Sequence, residues 1–116
     1  MGETDENCLF CKIVAGEIPS DRVAESPLAY AFRDVNPQAP IHVLVVPKRH
    51  EPDIGTLAAA DPESTIAVLE LAQQVAESEN GGSYRLVFNT GSDAQQTVFH
   101  CHAHVIGGRG MTWPPG

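Results

Sequence analysis

Three of the five histidines fall at alternate positions in the run His100-Cys101-His102-Ala103-His104-Val105-Ile106. In a β-strand, residues two apart share a face at intervals of ~6.5–7 Å. Three imidazoles would then line one surface, while Cys101, Ala103 and Val105 turn into apolar packing. A helix would scatter the same residues, and the β-branched neighbours and following glycines favour a strand. Neutral imidazole is a nucleophile and its cation stabilises oxyanions, both near neutral pH. A row of three can divide these tasks: the middle ring attacks phosphorus, and its neighbours hydrogen-bond phosphoryl oxygens or fix its tautomer. A histidine-lined metal site, or polar alternation without chemistry, would leave the same pattern.

A second cluster of reactive types stands near the start. Cys8 and Cys11 form a C-x-x-C, and with Cys101 the cysteine count is odd, which speaks against a disulfide framework. Two thiolates so spaced can share one metal, and structural zinc closes with four nitrogen or sulfur ligands. Two ligands are then missing, with histidines the available candidates. A redox pair or two buried cysteines are the alternatives. Thioredoxin-like chemistry expects the motif after a strand in a β-α-β context, whereas only seven residues, mostly polar, precede it here.

The elements that must position these residues are legible in part. Residues 28–34 read as a strand closed by Asn36-Pro37 and Pro40. Ile41 to Val46 are apolar on both faces except at His42, which predicts a central strand covered on both sides and ended by Pro47. Asp61-Pro62 supplies a cap oxygen and a proline in the first turn of a helix. Val68, Leu71, Ala72 and Val75 follow helical spacing, with Ile66 and Leu69 widening the stripe, and the helix stops before Asn80-Gly81-Gly82. Tyr84, Leu86 and Phe88 alternate with Arg85 and Asn89 as another strand. After a polar loop over 90–96, Thr97 to Ile106 form a last long strand, and a short helix lies around Phe10 to Ala15. Strand pairs interrupted by one long helix predict an α+β class with an antiparallel sheet.

The 116 residues fit one domain, 1–116. A net charge of −8 with seven scattered Lys and Arg argues against polymeric nucleic acid as a partner, while leaving room for a small anion. No apolar run approaches the ~20 residues of a membrane span. Met1 to Asn7 carry three acidic residues and no basic one, unlike a secretory leader, so a cytoplasmic location is expected.

From Phe10 to Gly116 the chain resembles the histidine-triad (HIT) family, in its nucleotide-binding branch. The resemblance rests on Gly16-Glu17-Ile18-Pro19, Asn36-Pro37-Gln38-Ala39-Pro40-Ile41-His42, Val46-Pro47-Lys48-Arg49-His50, Asn89-Thr90-Gly91, the histidine run, and the ending Gly107-Gly108-Arg109-Gly110-Met111-Thr112-Trp113-Pro114-Pro115-Gly116. It implies a five-stranded antiparallel sheet with one main helix and a short N-terminal helix. His102 would be the nucleophile that carries a nucleotidyl intermediate, His104 a contact to a phosphoryl oxygen, and His42 a supporting hydrogen-bond partner. Asn89 and Thr97 would line the phosphate pocket. Phe10, Ile13, Phe32, Val35 and Leu44 would wall the base, and Asp34 would hold the ribose hydroxyls. A carboxylate can accept from two vicinal hydroxyls, although a turn cap before Val35-Asn36-Pro37 explains Asp34 as well, and Phe32 and Ile13 also read as core.

The chain departs from the branch at Gln95, where glycine is common, so this side chain bears on the leaving group. Relatives with the N-terminal C-x-x-C hold zinc through it and two histidines matching His50 and His100, which makes Cys8, Cys11, His50 and His100 the implied ligands. A metal-bound His100 is neutral and structural. The implied activity is hydrolysis of purine nucleoside 5′-phosphoramidates, or related conjugates, to the 5′-monophosphate, with overall retention at phosphorus. A two-fold dimer is implied too, with Trp113 reaching toward the partner's site. The alternatives are cleavage of dinucleoside polyphosphates or nucleotidyl transfer, a nucleotide-binding adaptor of low turnover, and a metal-handling protein using all five histidines.

Overall fold

A computed structural model describes residues 4–116; of the acidic start, Met1 to Glu3 lie outside the described residues. Among the described residues are α1 (Leu9–Val14), β1 (Arg22–Glu25), β2 (Ala29–Arg33), β3 (Ile41–Pro47), α2 (Ile54–Ala60), α3 (Pro62–Asn80), β4 (Arg85–Phe88) and β5 (Ala103–Gly107). The strands make one antiparallel sheet in the order β1-β2-β3-β5-β4. β3 is therefore the middle strand, as its continuous apolar run predicts.

The sheet divides its side chains by alternation. On one face Ala29, Ala31, Val43, Val45, Ala103 and Val105 pack with Val68, Leu71, Ala72, Val75 and Ala76 of α3. The cap of α3 forms as expected, with Asp61 accepting from the Ser64 N–H at 3.1 Å. The helix runs one residue further than predicted, ending at Asn80 with Gly81 left-handed at φ 63°. Its apolar stripe is narrower than predicted: Ile66 and Leu69 stand 55% and 42% exposed, because the face packed on the sheet is the one that carries Val68, Leu71, Ala72, Val75 and Ala76. Arg33 ties β2 to α3 through a two-pronged pair with Glu79 at 3.0 and 3.1 Å. On the opposite face Tyr30, Phe32, Leu44 and Val46 meet Cys8, Phe10, Cys11 and Ile13 of the α1 segment.

Two elements were not predicted. β1 is a four-residue edge strand, and α2 buries only Leu57. The predicted last strand over 97–106 is shorter at its start, because the ladder cannot continue past Ala103. Opposite residue 101 stands Pro47, which has no N–H to give. The Pro47 carbonyl accepts instead from His100 Nε2 at 2.8 Å, and the Cys101 N–H goes to the Glu51 carbonyl at 2.7 Å. No helix among the described residues is long and apolar enough to cross a membrane.

Candidate active site and metal cluster

The histidines collect on the face of the sheet opposite α3. His42 is the second residue of β3, and His104 lies in β5 directly across from Leu44. His102 precedes β5 by one residue, in extended chain rather than in the ladder. Its Nδ1 donates to the His100 carbonyl at 2.8 Å, so the proton sits on Nδ1 and Nε2 carries the free lone pair. The ring is held edge-on to Phe10 at 5.1 Å and lies 5.0 Å from the ring of His104. Burial lowers the His102 pKa, against the opposing pull of the His100 carbonyl and the Asp34 charge. The shift favours the neutral ring, the form in which an imidazole can act as a nucleophile.

His104 is placed the other way round. Its Nδ1 lies 2.9 Å from His42 Nε2, and its own Nε2 is the buried side-chain nitrogen or oxygen without a partner among the described residues. Burial pushes its pKa down to about 4, helped by His102 and His42. His42 is buried, with Nε2 3.3 Å from Asp34 Oδ2 and Nδ1 2.9 Å from the Gln38 N–H. Asp34, His42 and His104 are close enough to suggest a metal site. The Gln38 N–H argues otherwise, since a metal on His42 Nε2 would put a proton on Nδ1, facing that N–H.

Beside the triad, Phe10, Ile13, Phe32 and Leu44 form one apolar cluster. Phe10 meets Phe32 edge-on at 5.5 Å. It also meets His100 at 5.9 Å, so α1 touches both His102 and His100.

His100 turns away from the other two, into a second cluster with Cys8, Cys11 and His50. Their ligand atoms all lie within 4.8 Å of one another. His100 Nδ1 is 3.3 Å from Cys8 Sγ, 3.5 Å from Cys11 Sγ and 3.2 Å from His50 Nδ1, and Cys11 Sγ is 3.5 Å from His50 Nδ1. A tetrahedron with Zn–N of about 2.0–2.1 Å and Zn–S of about 2.3 Å has edges of roughly 3.3–3.8 Å, and these separations lie close to its N–N and N–S edges, so the four atoms fit a zinc ion. The bond from His100 Nε2 to the Pro47 carbonyl leaves Nδ1 bare for a metal, the usual support for a ligating histidine. Without metal, burial and the neighbouring Cys8 raise the Cys11 thiol to about 11, so ligation would have to displace its proton.

A HIT domain family profile matches residues 15–111. The chain is 45% identical over 115 residues to an uncharacterised HIT-like protein of Synechocystis, covering 96% of this chain and 98% of that one. The chain belongs to the HIT family. Solved relatives agree in three dimensions. A HIT family hydrolase from Legionella pneumophila is 48% identical with a TM-score of 0.89, over 95% of this chain and 100% of that one. A HIT family hydrolase from Clostridium thermocellum is 40% identical with a TM-score of 0.88, over 94% and 96%. A histidine triad protein from Clostridium difficile is 34% identical with a TM-score of 0.86, over 93% and 96%.

The remaining residues expected of a HIT site are placed unevenly. Asn89 follows β4 on the side of the sheet that Val87 and His104 share, and is half-buried. Thr97 is exposed in the loop leading to His100. Val35 projects wholly into solvent at 100% exposure, outside the apolar cluster that was expected to include it. Trp113 is 81% exposed and lies beside Arg85 of β4 rather than among the histidines. Gln95 is exposed and is the non-glycine with positive φ, at 65°, which explains why glycine suits this position.

Sequence reasoning missed Gln96. Its side chain is buried, accepts from the Gly91 N–H at 3.0 Å, and donates to the Pro52 and Val98 carbonyls at 2.7 and 3.1 Å. It thereby shapes the loop before the histidines, and a glutamine in a polar loop gives no sequence signal of that. The Gln38 main chain was missed for the same reason.

Proposed function

We propose that this HIT protein hydrolyses purine nucleoside 5′-phosphoramidates, or related nucleoside monophosphate conjugates, to the nucleoside 5′-monophosphate. The observation that carries the reading is a pair of adjacent rings that each leave Nε2 without a partner. His102 keeps a bare Nε2 while its Nδ1 donates to the His100 carbonyl, and His104 leaves a buried Nε2 free to meet an oxygen, with 5.0 Å between ring centres. A phosphoryl group between them meets a nucleophile and an oxygen-binding donor at once. His102 Nε2 forms a bond to phosphorus as the bond to the leaving amine breaks, and the amine takes up a proton. Water then attacks phosphorus, the bond to Nε2 breaks, and a proton is returned. One water is consumed, and two inversions give retention. The cluster of Phe10, Ile13, Phe32 and Leu44 suits a base, and Asp34, beside His42, suits the ribose hydroxyls.

The test is AMP release from adenosine 5′-phosphoramidate. Wild type is expected to turn over, with His102→Ala reduced by about 10⁴-fold or more. If neither protein releases AMP while both bind it, the chain is an adaptor and the hydrolase reading falls.

The cluster of Cys8, Cys11, His50 and His100 is proposed to hold one structural zinc per chain, which would cross-link α1 to the segment before β5. Metal analysis of the purified protein should give one zinc, lost in Cys8→Ser. More than one would favour metal handling.

A further inference from the structure

A peptide N–H can only donate, so a histidine nitrogen facing one must present its lone pair. The Gln38 N–H lies 2.9 Å from His42 Nδ1, which puts the proton of His42 on Nε2. Both groups facing Nε2 are acceptors in that arrangement: His104 Nδ1 at 2.9 Å and Asp34 Oδ2 at 3.3 Å. His104 then receives at Nδ1 and carries its own proton on Nε2, where it is buried and unpartnered. Two proton positions, on His42 Nε2 and His104 Nε2, thus follow from one main-chain donor.

That donor is held firmly, although the Gln38 side chain is exposed. Asp34 Oδ1 accepts from the Asn36 N–H at 2.8 Å, and the Asp34 N–H reaches the His42 carbonyl at 3.0 Å. The Gln38 side-chain nitrogen, Nε2, donates to the Asn36 carbonyl at 3.0 Å. From across the end of β5, Arg109 Nε donates to the Gln38 carbonyl at 3.2 Å. Gly108, at φ 85°, allows that approach, since a Cβ there would meet Pro40 Cβ at 3.0 Å.

We propose that the main-chain N–H of Gln38, held by Arg109, is a positioning group that locks His42 and His104 as Nε2–H tautomers, so that His104 always presents a donor to the reaction site. With the other tautomer, His104 would turn a lone pair toward a phosphoryl oxygen. The effect on turnover rests on the proposed hydrolysis, but the tautomers themselves do not.

The first readout is ¹⁵N NMR of the imidazoles in the full chain at pH 7.5. His42 and His104 are expected to show a protonated Nε2 and a bare Nδ1. A protonated Nδ1 on His42, as tautomer or as cation, overturns the proposal whether or not the protein is a hydrolase. Gln38→Pro deletes the donor. It is expected to mix the tautomers of both rings and to lower kcat about 10- to 100-fold, with KM changed less than about threefold. Unmixed tautomers in that variant also overturn the proposal. Gln38→Ala keeps the N–H and is expected to keep both tautomers; a change there overturns the assignment to the main chain. If Gln38→Pro does not fold, Arg109→Ala serves, with partial mixing expected and none counting against the role given to Arg109.

Discussion

A buried N–H without a partner costs about 1–3 kcal/mol, and the tautomer proposed for His104 places one at its buried, unpartnered Nε2. An anion that accepts from it relieves this cost, so AMP should raise the melting temperature of wild type more than that of His104→Phe. Equal shifts in differential scanning fluorimetry would mean that His104 does not contact the phosphate. The same ring makes stability depend on pH. Its pKa in the fold is about 4, against 6.5 for a free imidazole, so on acidification the unfolded chain takes the proton first. The stability tied to its neutral form is complete above about pH 6.5 and is lost as pH falls through about 4. Urea titrations at pH 7 and pH 5 should show a smaller loss for His104→Gln than for wild type. An identical loss would place the acid sensitivity elsewhere, for instance at His100, also held at about 4 by burial. At Gln95, whose φ is 65°, substitution by glycine should stabilise by up to about 1 kcal/mol by removing left-handed strain. A lower denaturation midpoint would show that the side chain makes a compensating contact.

Among the elements, α3 carries the larger stake in stability. Leu71 is 1% exposed against the sheet, and Leu71→Ala should cost about 2–5 kcal/mol in chemical denaturation. Ile66→Ala, at a position 55% exposed, should stay within about 0.5 kcal/mol. Equal costs would mean that the outer row of α3 is covered in solution. The long periodic segments were legible in the sequence because burial imposed a pattern on them: α3 through Val68, Leu71, Ala72 and Val75, and β3 through its unbroken apolar run. α2 and β1 were not, because one buried leucine or four edge residues leave no period to read. The start of β5 was misread because alternation alone cannot show that the Pro47 carbonyl and the Cys101 N–H are engaged elsewhere. That His42, His102 and His104 would lie together was legible in their residue types and spacing. What the sequence concealed were main-chain contributions from Gln38 and His100, since any residue type supplies the same N–H or carbonyl.

For the whole molecule, β4 ends the sheet on one side and leaves a row of main-chain groups without a strand partner among the described residues. Beside it stands Trp113, 81% exposed and 6.0 Å from the Arg85 guanidinium. Pairing of this edge with a second copy would cover both. Sedimentation at micromolar concentration is expected to give twice the chain mass of 12.4 kDa, and a single-chain mass would refute the pairing. The sheet is one layer thick, and neighbouring residues of a strand serve opposite sides. Val43, Val45, Ala103 and Val105 face α3, while Leu44 faces Phe10 and Phe32, and His42 and His104 meet at the candidate site. Changes that retune the base wall and changes that tighten the helix side therefore share few contacts. Their free energies should add within about 0.3–0.5 kcal/mol. Such a layout lets ligand preference drift during evolution while losses in robustness are made good behind the sheet, without the two searches interfering.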